Sequence, residues 1–282
     1  MDQAMSMEAP VRTYSYARHA LPVRIMHWTN VVALTILFMS GLQIFNAHPA
    51  LYWGKSSYSG RPALLEMGAM QMPDGRVFGM TRIGEHVFDT TGVFGASRDR
   101  AGEWSARGFP WWLTIPDNRW LAMARAWHFF FAWVFVLNGL AYIGYSFASR
   151  HVQRDLWPTP VDRRSIGRSI VDHLKLKHPT GEAAKHYNVL QKLTYLIVIF
   201  VLLPGIALMG LAMSPWFDGV LTGWVDLFGG RQSARTIHFI IAWLLVAFVA
   251  IHVFEVLISG AWNHIRSMIT GRYVIREAGR AE

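Results

Sequence analysis

The sequence predicts an all-α integral membrane protein: a bundle of four transmembrane helices with one long loop and several amphipathic segments outside the bilayer. Three observations carry this. Of 282 residues, 52% are hydrophobic and only 16% charged. The apolar residues gather into four stretches, 25–45, 126–148, 193–213 and 236–254, that contain no Lys, Arg, Asp or Glu. Each is about as long as the ~20 residues that cross a hydrocarbon core ~30 Å thick. The basic residues, finally, fall on alternate sides of these stretches.

That alternation orients the chain. Arg12, Arg18 and Arg24 precede the first span, and Arg266, Arg272, Arg276 and Arg280 follow the last. The loop between spans two and three, 149–192, holds nine Lys or Arg against four acids, whereas 46–119 holds eight against seven. The positive-inside rule therefore predicts a membrane protein with both termini and the 149–192 loop in the cytoplasm and 46–119 facing outward. The net charge of +9 follows this pattern, which argues against nucleic acid as a partner. The segment before the first span lacks the small-residue cleavage site of a signal peptide.

In order along the chain, 1–23 is a polar cytoplasmic lead and 24–45 the first span. The 46–119 segment is long for a helix connection and carries Trp53, Trp104, Trp111, Trp112 and Trp120. Flexible linkers are not this aromatic, so it reads as a folded cap, with the tryptophans serving either as an interfacial belt or as a docking surface. The second span is 120–148. In the cytoplasmic loop, 149–189, a short amphipathic helix through 166–176 lies on the anionic leaflet. The third span is 190–213, a short periplasmic turn 214–233 contains Pro215 and Gly229-Gly230, and the fourth span is 234–262. The tail, 263–282, is basic and partly apolar and rests on the inner surface.

Cysteine is absent, which excludes disulfides, thiolate-held iron–sulfur clusters and covalent C-x-x-C-H haem attachment. A haem here would be held by histidine. His238 and His252 lie fourteen residues apart in the fourth span. On a helix that separation turns through roughly 1400°, about 40° short of four turns, and rises about 21 Å. Both rings thus point to one side at two depths, and ionisable side chains inside a membrane default to a functional reading. His27 starts the first span and His128 the second. Span direction pairs them by depth, His27 with His252 on the inner side and His128 with His238 on the outer. Two imidazoles per iron leave no open position, which suits electron transfer, and a four-helix bundle is a natural scaffold for such cofactors.

Arginines stand three residues before three of these histidines: Arg24, Arg125 and Arg235. Positions i and i−3 share a helix face, and each arginine is one turn nearer water, where haem propionates would emerge; Arg24 equally fits simple positive-inside flanking. Gly41 and Gly139 lie near the histidine faces of their helices, either to clear a porphyrin or for close helix packing. His252 has Glu255 at i+3 instead of an arginine. Glu255 is either a proton-exchanging group beside a quinone or a snorkelling carboxylate. Near the same depth Tyr187, Asn188 and Gln191 open the third span. Asn188 and Gln191 either bond a quinone carbonyl or cap the helix. His186 is a lesser quinone candidate, and His19 and the remaining loop histidines read as surface residues.

The four spans, the placement of His27 and His128, and the H-x13-H of the fourth span resemble the bacterial cytochrome b561 / nickel-hydrogenase b-type cytochrome family over about 18–270. The segments HALPVRIMHW, NVLQKLTYL and GGRQSARTIHF are most similar to a branch known as thiosulfate reductase cytochrome b subunits, which is associated with molybdopterin oxidoreductases. The resemblance implies two non-covalent b haems with His27, His128, His238 and His252 as iron ligands. It also implies a quinone site beside the inner haem, with Asn188 at its polar position; Leu190 stands where related subunits can have Gly. The resulting expectation is a dihaem membrane subunit of a respiratory chain, passing electrons between quinone and a periplasmic, molybdopterin-dependent oxidoreductase. Homo-oligomers are left open. Two other classes compete: a stand-alone quinone-linked superoxide oxidase, against which the large cap argues, and a non-redox scaffold or transporter with packing histidines.

Overall fold

The computed structural model describes residues 12–57, 60, 62–116, 119–175 and 188–277. His178, His186 and Tyr187 lie outside the described residues. Four helices are long and apolar enough to cross a membrane: Leu21–Phe45, Leu121–Ala148, Val189–Ala212 and Arg231–Ile258. Most of their apolar side chains face outward, Phe130, Trp133, Leu137 and Leu140 among them. That inverts the soluble-protein pattern because the solvent is hydrocarbon.

The chain divides into two compact units. The first holds the described residues up to Trp28, then Ala141–Phe200 and the chain from Ala247. Here β1 (Arg12–Ala17) pairs antiparallel with β8 (Arg272–Glu277), Tyr14 opposite Ile275 and Tyr16 opposite Tyr273. The tail is therefore a strand paired with the N-terminal segment, preceded by α9 (Ala261–Thr270), rather than a lone surface segment. Asn263 closes the α9–β8 corner: its amide donates to the Val274 carbonyl (2.7 Å) and its carbonyl accepts from the Val274 N–H (3.0 Å). Gly271, at φ 82°, ends α9 in the left-handed region that a β-carbon would strain. The Arg18 guanidinium stacks 4.5 Å over Tyr273.

Between the spans, α3 (Pro160–Arg164) and α4 (Ile166–Leu174) follow a π-helical turn at Val152–Leu156. Thr159 caps α3 and receives Asp162 in a capping box. Lys192, on α5 (Val189–Ile197) and 8% exposed, donates to Asp162 at 2.8 Å. Burial opposes the charge on Asp162, but donation from Lys192 and from Thr159 holds its carboxyl below the usual range. The third span is not one regular helix. A π-helical turn, Val198–Leu202, joins α5 to α6 (Leu203–Ala212). Pro204 explains the break: it has no N–H to donate, and its ring crowds the carbonyl four residues back.

The second unit holds Thr29–Leu140 and Val201–Val246. Its cap is built of strands, an addition to the helical frame. Strands β2 (Ala50–Leu51), β3 (Leu65–Gln71), β4 (Val77–Ile83) and β5 (His86–Asp89) form an antiparallel sheet in that order, and β6 (Ala96–Arg98) pairs with β7 (Trp104–Ala106). The cap shares its core with the end of α1 (Leu21–Phe45). Leu42 and Phe45 pack with Leu51, Met67 and the fully buried Phe109. Asn46 holds the Phe109 backbone from both sides, accepting its N–H at 2.7 Å and donating to its carbonyl at 3.0 Å. The start of α8 (Arg231–Ile258) is bound equally closely. Thr236 donates to the Tyr52 carbonyl (2.7 Å), Ser233 accepts from the Gly54 N–H (2.8 Å), and α7 (Pro215–Val220) fills the turn before it.

Arg107 is the central bolt of the cap. It is 5% exposed, yet its guanidinium donates at 2.9 Å to Phe109 O, Gln43 Oε1 and Thr114 Oγ1. A buried charge is tolerated only when its donors are matched in this way. Arg107→Leu is expected to destabilise the cap by on the order of 3 kcal/mol, because it strands these acceptors. The check is thermal unfolding combined with limited proteolysis of 46–119.

His19 gives the first unit a pH dependence. Burial, then the neighbouring charges of Arg18, His27, His264 and His151, lower its pKa to about 4. Between about 4 and 6.5 the unfolded chain binds the extra proton, so stability rises with pH across that window. Wild-type protein is expected to lose stability as pH falls from 6.5 toward 4, and His19→Gln to lose less. Melting curves across this range measure the difference.

Candidate functional site

Two imidazole pairs stand inside the apolar helices, one in each unit. In the second unit His128, on α2 (Leu121–Ala148), faces His238 on α8, with ring centroids 6.3 Å apart and planes at 60°. In the first, His27 on α1 faces His252 on α8 at 6.4 Å and 73°. An imidazole nitrogen lies about 1.1 Å from its ring centre and a metal–imidazole bond is about 2 Å, so two rings sharing an ion in line stand about 6 Å apart. Both pairs meet that spacing. Among the described residues no cluster of three or more His, Cys, Asp or Glu could hold a metal. Each pair could supply two imidazole nitrogens to a group that brings its own remaining donors, as a porphyrin does.

The surroundings of the His128/His238 pair fit a haem. His238 Nδ1 lies 2.9 Å from the Ile206 carbonyl. A carbonyl can only accept, so Nδ1 carries the proton and Nε2 is left for a metal. His128 Nδ1 lies 3.1 Å from Ser40 Oγ. Gly41 and Gly210 complete the cradle. A β-carbon on Gly41 would stand 3.3 Å from His128 Cε1, and one on Gly210 would stand 3.7 Å from His238 Cε1. Gly139 has nothing within 4 Å of where its β-carbon would be, which leaves room beside α2.

The first pair is bordered differently. His252 stacks on Phe248 at 5.9 Å, and His27 meets the edge of Trp28. Trp28 in turn donates to the Met268 carbonyl of α9 at 3.1 Å. Arg24 donates to the Ile269 carbonyl, and its buried Nε lacks a hydrogen-bond partner among the described residues. An orphaned guanidinium donor one turn from His27 is what an absent carboxylate would satisfy.

The other sequence-selected residues divide. Arg235 turns its guanidinium to the cap, donating to the carbonyls of Ala50 (3.0 Å) and His48 (2.6 Å). Arg125 is exposed, over the Phe129 ring at 5.7 Å. Asn188 and Gln191 form a capping box at the start of α5. The Gln191 N–H donates to Asn188 Oδ1 (2.9 Å) and the Asn188 N–H to Gln191 Oε1 (3.2 Å). Their carbonyl oxygens are thus engaged, and what they retain for a ligand is amide NH₂. Glu255 is half-buried on α8, and its backbone carbonyl accepts from the Ser259 hydroxyl.

Sequence reasoning missed Ser40, Gly210, the Ile206 carbonyl and the buried Lys192–Asp162 pair. Ser40 had a readable signal, since it is a polar residue beside Gly41 within an apolar span. The others had none, because each depends on which helix packs against which.

Four apolar spans with imidazoles paired inside them define a membrane b-type cytochrome, an electron-transfer subunit of a redox complex. Residues 18–271 match Prokaryotic cytochrome b561, and the chain belongs to that family. It is 28% identical over 244 residues to "Putative protein-methionine-sulfoxide reductase subunit YedZ1" of Azospira oryzae, covering 84% of this chain and 89% of that one. Partial matches join it to proteins named "Probable Ni/Fe-hydrogenase B-type cytochrome subunit". One, from Cupriavidus necator, is 27% identical over 158 residues (51% of this chain, 64% of the relative). Another, from Azotobacter chroococcum, is 30% identical over 149 residues (49% and 62%). No solved structure matches.

The glycine cradle can be tested directly. Gly41→Val drives a branched side chain into His128 and is expected to lower b-type absorbance per mole of purified protein. Gly219→Ala, on α7 with nothing within 4 Å of the added β-carbon, is expected to leave it unchanged. Reduced-minus-oxidised spectra, normalised to protein, make the comparison.

Proposed function

We propose that this chain binds two b haems, one between His27 and His252 and one between His128 and His238, and carries electrons between membrane quinone and a redox protein docked on the cap. The observation that carries this reading is the pair of imidazole separations, 6.4 and 6.3 Å, each the span of a bis-imidazole metal site. When bound, each haem supplies a one-electron carrier with both axial positions filled.

The charge pattern supports an orientation with both termini in the cytoplasm and the cap in the periplasm. On that orientation His128 and His238 hold the periplasmic haem, beneath the cap, and His27 and His252 the cytoplasmic one. Arg24, through its orphaned Nε, is the best supported propionate partner. Arg125 is a second, and Arg235 contributes chiefly by fixing the cap over α8. Quinone exchange belongs beside His252, where Glu255 handles the proton and the amides of Asn188 and Gln191 are donors for a quinone carbonyl. Lys192, ion-paired with Asp162, extends this polar group into the first turn of α5. The partner is a periplasmic oxidoreductase, and a molybdopterin enzyme accords with the similarity to a methionine-sulfoxide reductase subunit.

His238→Ala tests the reading. The purified variant is expected to keep one b haem per chain where wild type has two, and to lose electron transfer from quinol to an acceptor on the cap side. Two reducible b haems in this variant would sink the assignment.

A further inference from the structure

Ser40 is fully buried in α1. Its hydroxyl has one proton, and the Ile36 carbonyl at 2.6 Å is the nearest acceptor for it; the Leu37 carbonyl is farther, at 3.2 Å. With that proton directed along its own helix, Ser40 Oγ presents lone pairs to His128 Nδ1, 3.1 Å away. The hydrogen bond therefore runs from His128 Nδ1–H to Ser40. Across the pair, His238 Nδ1–H donates to the Ile206 carbonyl at 2.9 Å. Among the described residues, neither His27 nor His252 has an acceptor of this kind.

We propose that Ser40 is a positioning residue for His128, fixing its tautomer and ring orientation and lowering the reduction potential of the haem that His128 and His238 hold. This rests on the ligand assignment proposed above. The reasoning is electrostatic. An acceptor on Nδ1–H increases the electron density of the imidazole and makes Nε2 a stronger donor, which favours the more positively charged, oxidised iron. In an apolar span with few competing dipoles, one such bond has a large effect. The arrangement also separates the two haems electronically, because both axial rings of one pair have acceptors and neither ring of the other does. Gly41, the next residue, keeps the ring in place from the side, with its β-carbon position 3.3 Å from Cε1. Two consecutive residues thus set the angle and the basicity of one ligand.

Substitution at Ser40 decides the matter with a readout that simple packing would not move. Ser40→Ala removes one buried oxygen, so the protein is expected to fold and to retain two b haems per chain. In a potentiometric titration followed optically, one midpoint should shift upward while the other stays at its wild-type value. One of the two low-spin ferric signals in electron paramagnetic resonance should change with it. Ser40→Thr, which keeps the hydroxyl, should return that midpoint toward wild type. Unchanged midpoints in Ser40→Ala, or equal shifts of both haems, overturn the proposal. So does a Ser40→Thr variant that shifts as far as Ser40→Ala. His128→Ala separates this from failure of the ligand assignment. If it loses one haem while Ser40→Ala shifts nothing, the ligands stand and the role of Ser40 falls; if it keeps both haems, the ligand assignment itself falls.

Discussion

An imidazole N–H inside hydrocarbon is costly without an acceptor, and meeting that need organises the interior of the second unit. In the His128/His238 pair one nitrogen of each ring is satisfied by the protein, by Ser40 Oγ and by the Ile206 carbonyl. The other two are left for a metal, with the ring centres 6.3 Å apart. A transmembrane helix has few spare acceptors, because its carbonyls are bound within the helix. The ones used here come from a serine hydroxyl whose own proton returns to its helix, and from a carbonyl in the α6 segment that follows the π-helical turn and Pro204.

The neighbouring helices must then come close without filling the space. Glycine at 41 allows this, since a β-carbon there would stand 3.3 Å from His128 Cε1, while Gly210 leaves ordinary van der Waals room beside His238. The same need for fixed helix ends explains the cap. Arg107, Asn46, Arg235, Thr236 and Ser233 join its backbone to the ends of α1 and α8, the two helices that carry three of the four histidines. Holding the ligand helices rigidly keeps the oxidised and reduced forms of a metal centre alike in geometry, which suits an electron carrier.

What the sequence displayed depended on the range of the interaction. The four spans were legible because hydropathy is a local property. The juxtaposition of His27 with His252, and of His128 with His238, could be reasoned out because each follows from helix direction and depth alone. The strands of the cap were hidden: the apolar residues of β3 and β4 alternate weakly, and their pairing is settled by the shared core around Phe109. The union of β1 with β8 joins opposite ends of the chain, beyond any local pattern. Asn188 and Gln191 show the ambiguity of polar residues at a helix start. The spacing that suggested ligand contacts is equally that of a capping box, and the structure uses their oxygens for the cap.

The two histidine pairs have unlike surroundings, and that difference bears on direction of use. Around His128 and His238 the side chains are small or apolar, and the polar contacts are fixed hydrogen bonds with no proton to exchange. The unit that holds His27 and His252 has titratable groups: His19, whose pKa is lowered to about 4 with His27, His264 and His151 among the neighbouring charges, the half-buried Glu255 three residues from His252, and, elsewhere in the unit, the Lys192–Asp162 pair. Electron transfer between metal centres needs no proton, whereas interconverting quinone and quinol moves two. A site that exchanges protons must retain groups able to take and give them. The asymmetry supports the proposed placement of quinone exchange on the His27/His252 side and of electron relay on the His128/His238 side, on grounds separate from the charge pattern that orients the chain.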